Sequence, residues 1–206
     1  MTRNILTPMG VMVLGLLRED DMHPYEMLRL MRHRRDDRLL TLTTGTIYHT
    51  VARLERAGFV AEVGVDRDGN RPERTTYTLT SAGLGALQEW MREELVRIDR
   101  PVEFRIALSE ASNLDRDEVL ALLQQRRRAL AEEDATGRAG LAAARAEGVP
   151  EQYLIEADRD IVVIAAELAW LDAFLLRLPD PGFAWGPDPV EHRSARYIAQ
   201  RKAARQ

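Results

Sequence analysis

Apolar and polar positions recur with helical period over most of this chain. Thr7 and Pro8 form an N-cap and N1 pair, and Met9, Val11, Met12, Leu14, Leu16 and Leu17 then predict a short, mostly buried helix to about Arg18. Asp20–His23 reads as a polar turn. Pro24 opens a second helix, PYEMLRLMRHR, in which Tyr25, Leu28 and either Met31 or its neighbour return at helical spacing. A third helix, within TTGTIYHTVARLERAG, is capped by Thr43 or Thr44 and stopped by Gly58. Its Ile47, Val51 and Leu54 form one apolar stripe. The opposite side carries Gly45, His49, Ala52, Arg53 and Arg56, with Thr46 and Tyr48 on the shoulders. That face is small, polar and cationic, and the free N–H groups at the helix start suit a phosphate. Taken alone, the same stretch also describes an ordinary surface helix.

The residues that follow change that balance. Phe59–Val65 alternates as a strand, Asp66–Pro72 (DRDGNRP) has turn chemistry, and Glu73–Thr80 (ERTTYTLT) is a second β-rich run. Three helices followed by a charged hairpin predict a winged helix-turn-helix, with Arg67, Asn70, Arg71 and Arg74 on or near the wing. Ser81 is expected to cap a helix to Arg97, with Leu84, Leu87, Trp90, Met91 and Leu95 apolar. Val102–Ser112 reads as a short helix. Asp115 and Glu118 form a capping-box-like start for a long helix, Arg116–Ala146. Its QQRRRALAEED stretch reads as a solvated face rather than a second DNA contact, since three consecutive arginines point in different directions on a helix.

Gly148-Val149-Pro150 breaks the chain before a last long helix, Glu151–Leu178. From Ile161 to Leu178 it is apolar almost all round, yet Glu167, Asp172 and Arg177 argue against a membrane span. Burial on several sides then calls for a second copy of the chain, with Ile161, Ile164, Leu168, Leu171 and Leu175 as the expected dimer interface. Pro179–Pro189 is a proline- and glycine-rich linker. The basic tail after it would touch DNA, cap the dimer or fray; Phe183, Trp185 and Tyr197 favour docking. The resulting fold class is mostly α with a small β-hairpin. It comprises a winged-helix DNA-binding domain (1–98), an α-helical dimerisation domain (99–178), and a linker with a basic tail (179–206).

Composition narrows the chemistry. The chain has no cysteine, which excludes disulfides, thiolate catalysis and Cys-ligated zinc. The N-terminal apolar run is too short and too broken for a signal peptide, so a cytoplasmic location is expected. The net charge of −4 divides unevenly: twelve arginines meet eleven acids in residues 1–80, and the acid excess lies downstream. DNA binding must therefore come from a local patch. Lys202 is the single lysine, a bias that GC-rich coding explains as readily as arginine's suitability for phosphate. His23, His33, His49 and His192 are scattered, no phosphate loop or nucleophile elbow occurs, and neither an enzyme nor a cofactor is expected. His33 with Asp36 or Asp37 is the one conceivable metal pairing, and a solvated histidine is the better reading, so no metal is expected.

The segments LTPMGVMVLGLL, HPYEM, TTGTIYHTVARLERAGFV and RPERTTYTLTSAGLGAL resemble, in order and spacing, the PadR family of bacterial transcriptional regulators. The resemblance spans about the first 95 residues. Gly45, Thr46 and Tyr48 match the family's third-helix pattern; Thr44 and His49 stand where prolines are common, and Pro24 where glycine is usual. The resemblance implies a homodimeric repressor that dimerises through its C-terminal helices, binds an inverted repeat in double-stranded DNA and is often released by an inducer. On this reading Thr44, Thr46, Tyr48, His49 and Arg53 enter the major groove or clamp its rim, with Arg56 nearby. Tyr25 holds a phosphate, and Arg67, Asn70, Arg71 and Arg74 make the wing contact. Arg53→Ala is expected to weaken binding with little loss of stability. Trp90 and Trp170 are either core residues or stacking partners for a small aromatic effector. The alternative to a DNA-binding regulator is a winged helix used as a protein-interaction module.

Overall fold

The computed structural model describes residues 6–66, 74–186 and 195–205. Among them are α1 (Pro8–Glu19), α2 (Pro24–Arg34), α3 (Thr44–Arg56), strands β1 (Val60–Asp66) and β2 (Arg74–Leu79), α4 (Ser81–Val96), α5 (Pro101–Ser109), α6 (Arg116–Ala146), α7 (Ile155–Arg177) and α8 (Ala195–Arg205). No helix among the described residues is long and apolar enough to cross a membrane.

Helix α1 is the hub. The Thr7 hydroxyl accepts from the Gly10 N–H at 3.3 Å, and Pro8 at the first helical position has no N–H to satisfy. Every residue from Met9 to Leu17 is buried, because α3, α4, α5 and β2 pack around this one helix. Gly15 leaves room for the Glu110 carboxyl: a Cβ there would sit 2.3 Å from Glu110 Oε2. Burial, with Glu19 nearby, pushes the Glu110 carboxyl up to about 8, against the pull of Arg34.

The end of α3 and the base of the hairpin are tied together. Gly58, at φ 75°, lets its N–H reach Glu55 O at 2.8 Å while the Phe59 N–H reaches Leu54 O at 2.9 Å, the double bond of a Schellman motif. Thr80, and not Ser81, caps α4. Its hydroxyl donates to Gly58 O (2.8 Å) and accepts from the Gly83 N–H (3.0 Å), a joint role that Ser81 inside the first turn cannot play. A Cβ on Gly83 would lie 2.1 Å from Phe59 O. The strands are antiparallel, with a register shift between Glu62 and Gly64. Met22 adds an isolated antiparallel bridge to β2: its N–H and carbonyl both pair with Tyr77, at 3.1 and 3.0 Å.

Other local expectations yield to tertiary partners. The capping box at Asp115 does not form; Asp115 makes no side-chain cap bond, and Glu118 instead pairs with Arg92 at 2.6 Å. Helix α5 begins at Pro101, whose missing N–H suits the first turn, and a 3-10 turn, Ala111–Asn113, follows it. Likewise Glu151–Tyr153 is a 3-10 turn and α7 starts only at Ile155. Arg126, from the run read as solvated, is 1% exposed. Its guanidinium lies 3.5 Å from the Phe104 ring centroid, donates to Glu167 Oε1 at 2.6 Å and to the Arg97 carbonyl, and so joins α5, α6 and α7.

Helix α7 has two apolar faces. Ile161, Ile164 and Leu171 are buried within the chain, where α7 packs on α6, and Leu168 and Leu175 are half-buried beside them. The residues expected at a dimer interface thus form the intramolecular face, because the long α6 hairpins back alongside α7. The outward face carries Val162 (63% exposed), Ala166, Ala169, Ala173 and Leu176 (83%) at helical spacing, with Trp170 beside it. The linker docks on the start of α6: Arg116 donates to Asp180 O and Phe183 O (2.8 and 2.6 Å), and Trp185 Nε1 to Leu114 O (2.9 Å). The tail docks too. Helix α8 lies on α2, and its buried Arg201 donates to Asp20 Oδ2 and Asp21 O (3.2 and 3.3 Å) and stands 3.4 Å from Glu26 Oε1.

Two outcomes are expected in thermal unfolding. Gly83→Ala should cost about 2–3 kcal/mol, since the new methyl meets the Phe59 carbonyl, backbone that cannot swing away as the Leu79 side chain can; no loss would contradict the clash. Because Glu110 binds its proton more tightly folded than unfolded, its contribution is full below the ordinary carboxyl range and fades as pH rises towards 8. Glu110→Gln should therefore gain on the wild type between pH 5 and pH 8, by about 1–2 kcal/mol or roughly 3–6 °C.

Candidate nucleic-acid interface

The surface built by α3 follows from its two-sided sequence. Ile47, Val51 and Leu54 are at most 1% exposed, and Thr50 is buried with them, so the helix is fastened from behind. Thr43 is the N-cap: its hydroxyl accepts from the Thr46 N–H at 3.1 Å and shares a 2.7 Å hydrogen bond with the Thr46 hydroxyl. The N–H groups of Thr44 and Gly45 have no acceptor within the helix, by α-helical geometry. A Cβ on Gly45 would meet nothing within 4 Å, so the first turn is open in front. Thr44, Thr46, Tyr48 (49% exposed) and His49 all lie on this exposed side. Together they offer amide and hydroxyl donors, an aromatic ring and an imidazole in under two turns.

The two arginines of α3 part company. Arg56 is exposed, with Nε donating to Ala52 O at 3.2 Å. Arg53 is half-buried and turned towards α1, where its Nη2 donates to Thr7 Oγ1 at 2.6 Å. The hydroxyl that caps α1 is thereby also the anchor for α3. The sequence places Arg53 between the polar face and the apolar stripe, and the neighbour that captures it lies 46 positions away.

Tyr25 stands at the start of α2, 41% exposed, with its ring nearly parallel to His23 at a centroid distance of 6.3 Å. Arg67, Asn70 and Arg71 lie outside the described residues; Arg74 opens β2 opposite Asp66, and its side chain also lies outside them. Trp90 is buried in the core of α4, whereas Trp170 is on the surface of α7, stacked on Phe174 at 5.1 Å. No ring contact joins the two tryptophans among the described residues. His33 and Asp37 are exposed and Asp36 half-buried, and no metal-holding cluster of three His, Asp or Glu occurs among the described residues.

Residues 13–89 match the transcriptional regulator PadR-like family. Among solved structures, Bacillus subtilis PadR in complex with operator DNA is similar at 19% identity and a TM-score of 0.38, covering 82% of this chain and 98% of that one. The smu.1604c protein of Streptococcus mutans UA159 is similar at 20% identity and a TM-score of 0.38, covering 82% and 95%. Bacillus subtilis PadR in complex with p-coumaric acid is similar at 17% identity and a TM-score of 0.36, covering 84% and 100%. No curated protein matches the chain.

The position of Arg53 reverses one expectation. Arg53→Ala should lower stability by about 1–2 kcal/mol in urea unfolding, as loss of a charged donor to a half-buried hydroxyl does. An unchanged midpoint would return Arg53 to the open face of α3.

Proposed function

We propose that this chain, whose residues 13–89 match the PadR-like family of transcriptional regulators, is a dimeric, sequence-specific DNA-binding repressor. The observation that carries the reading is the first two turns of α3, exposed in front and clamped behind. A helix entering the major groove needs both: side chains free to meet base edges, and a backbone that does not move when they do. Thr44, Thr46, Tyr48 and His49 serve the groove and its rim, with Arg56 on the adjoining phosphate. Tyr25 takes a phosphate, and Arg67, Asn70, Arg71 and Arg74 provide the wing contact. Arg53 acts one step back, by holding the angle of α3 to α1.

A second copy fits the outward face of α7. Val162, Ala166, Ala169, Ala173 and Leu176 form an apolar stripe beside Trp170, and a dimer there would present two α3 helices to two half-sites of an inverted repeat. Trp170, on the rim of that stripe, remains the candidate contact for a small aromatic effector; Trp90 is core. The protein would act in the cytoplasm, on its own or an adjacent promoter.

The deciding experiment titrates the protein against its own upstream intergenic DNA and a scrambled duplex of equal length, at physiological salt, with the mass of the complex recorded. Preference for the native duplex by two or more decades, at two chains per duplex, is expected. His49→Ala or Tyr48→Ala should reduce that preference by about 1–3 kcal/mol with stability unchanged, and Leu176→Glu should halve the mass of the free protein. Equal, weak binding to both duplexes would favour a protein-interaction module instead.

A further inference from the structure

The last helix, α8, lies outside the residues 13–89 that carry the family match, yet it packs on α2 of the winged helix. Its inner face is mostly polar. Gln200, Arg201 and Ala204 are buried on one side, while Ile198, Ala199, Lys202 and Ala203 are exposed. Ala204 is the one apolar side chain that α8 buries among the described residues, and a single methyl adds little hydrophobic free energy, so the contact leans on Arg201.

Arg201 reaches the joint between α1 and α2. Its Nη2 donates to Asp20 Oδ2 at 3.2 Å and to the Asp21 carbonyl at 3.3 Å, and Nη1 stands 3.4 Å from Oε1 of the buried Glu26. Asp20 is the C-cap of α1, with its N–H bonded to Leu16 O at 3.3 Å, and Glu26 is in the first turn of α2. Between them, Met22 is bonded both ways to Tyr77 of β2. One guanidinium therefore holds the turn at which two helices and the second strand of the hairpin meet.

The hold is incomplete. Arg201 Nη1 is buried and makes no hydrogen bond among the described residues. A cation gives up its hydration on docking and recovers it on release, so a buried ion pair of this kind contributes little net free energy. With so little apolar burial beside it, α8 belongs to the weakly held segments that open locally while the core stays closed. Charge sets the direction of the effect. Asp20, Asp21 and Glu26 lie beside the exposed Tyr25 at the start of α2, in a chain whose net charge of −4 opposes a polyanion. Docking of α8 brings Arg201 onto those acids.

We propose that α8 is a detachable strap that tunes the grip of the winged helix on DNA. Docked, it fixes the α1–α2 joint against β2 and offsets the acids there; released, it loosens the joint and leaves them uncompensated by Arg201. This rests on the DNA-binding reading and adds a control to it: α3 sets which sequence is bound, and α8 sets how tightly any duplex is bound.

The test compares full-length Arg201→Gln with full-length Lys202→Gln, which removes the same charge from the exposed side of α8. Hydrogen exchange of the Met22, Tyr77 and Leu14 amides is followed without DNA, and affinity is measured on the native upstream duplex and the scrambled one. In Arg201→Gln, Met22 and Tyr77 should exchange faster while Leu14, in the centre of α1, does not, and affinity for both duplexes should fall by about threefold to thirtyfold. Lys202→Gln should leave exchange as in the wild type and weaken binding less. Unchanged exchange at Met22 and Tyr77, equal acceleration of all three amides, or equal weakening by the two variants would each overturn the strap. Tighter binding by Arg201→Gln would overturn it as well, by making α8 an inhibitor. A wild type that binds neither duplex, with faster exchange still confined to Met22 and Tyr77 in Arg201→Gln, would remove the DNA-binding reading while upholding the strap's hold on the joint.

Discussion

The structure hangs on the burial of one helix. Every residue from Met9 to Leu17 in α1 is buried, so α3, α4, α5 and β2 are all positioned by contact with the same small cylinder. Helix α3 meets it through Leu54, which approaches the place a Cβ on Gly10 would take to 3.5 Å, and through the Arg53–Thr7 bond. Helices α4 and α5 cover other sides, and Gly15 admits the Glu110 carboxyl against them. The core therefore runs unbroken from Leu6 to Leu178, through residues of both the winged helix and the helical region. A shift of α4 or α5 against α1 is felt by α3, since close-packed interiors deform little and transmit displacement.

Small backbone locks make this arrangement exact enough to be useful. Gly58 turns the chain out of α3, Phe59 O receives the Thr80 hydroxyl, and Gly83 has no side chain to obstruct that approach. Gly58, Thr80 and Gly83, which look like unrelated punctuation, thus hold α3, the strand pair and α4 at one point. Met22 extends the same tie across to α2, and Arg201 of the tail grips the adjacent Asp20 and Asp21. Arg201 thereby joins the C-terminal helix to the turn before α2.

Arginine is used in two opposed ways. Arg126 and Arg201 are buried and paired, where loss of either partner would strand a charge in the interior, a much costlier state than the intact pair. Arg32, Arg35 and Arg38 are exposed, and none of them forms a salt bridge among the described residues. The residue type is the same, and only the surroundings separate a structural cross-link from a cation available to a ligand.

What the sequence determined by itself was whatever depends on neighbours a few positions apart. The apolar stripe of α3, the Pro8 and Pro24 helix starts, the Gly58 stop, the hairpin and the limits of α6 all rest on i, i+3 and i+4 spacing or on local φ preferences, and all are read directly from the chain. What only the tertiary structure decided was which of several equivalent local partners a polar group would take, and which of two apolar faces would be covered. Glu118 left its capping position for Arg92, Thr80 displaced Ser81 because Gly58 and Phe59 came within reach, and Arg126 was selected from three adjacent arginines by Phe104 and Glu167. On α7, helical periodicity makes both faces apolar, and packing against α6 assigned Ile161, Ile164 and Leu171 to the interior and Val162 and Leu176 to the outside. Such choices are made between groups tens of residues apart in the chain, and local spacing carries no information about distances of that kind.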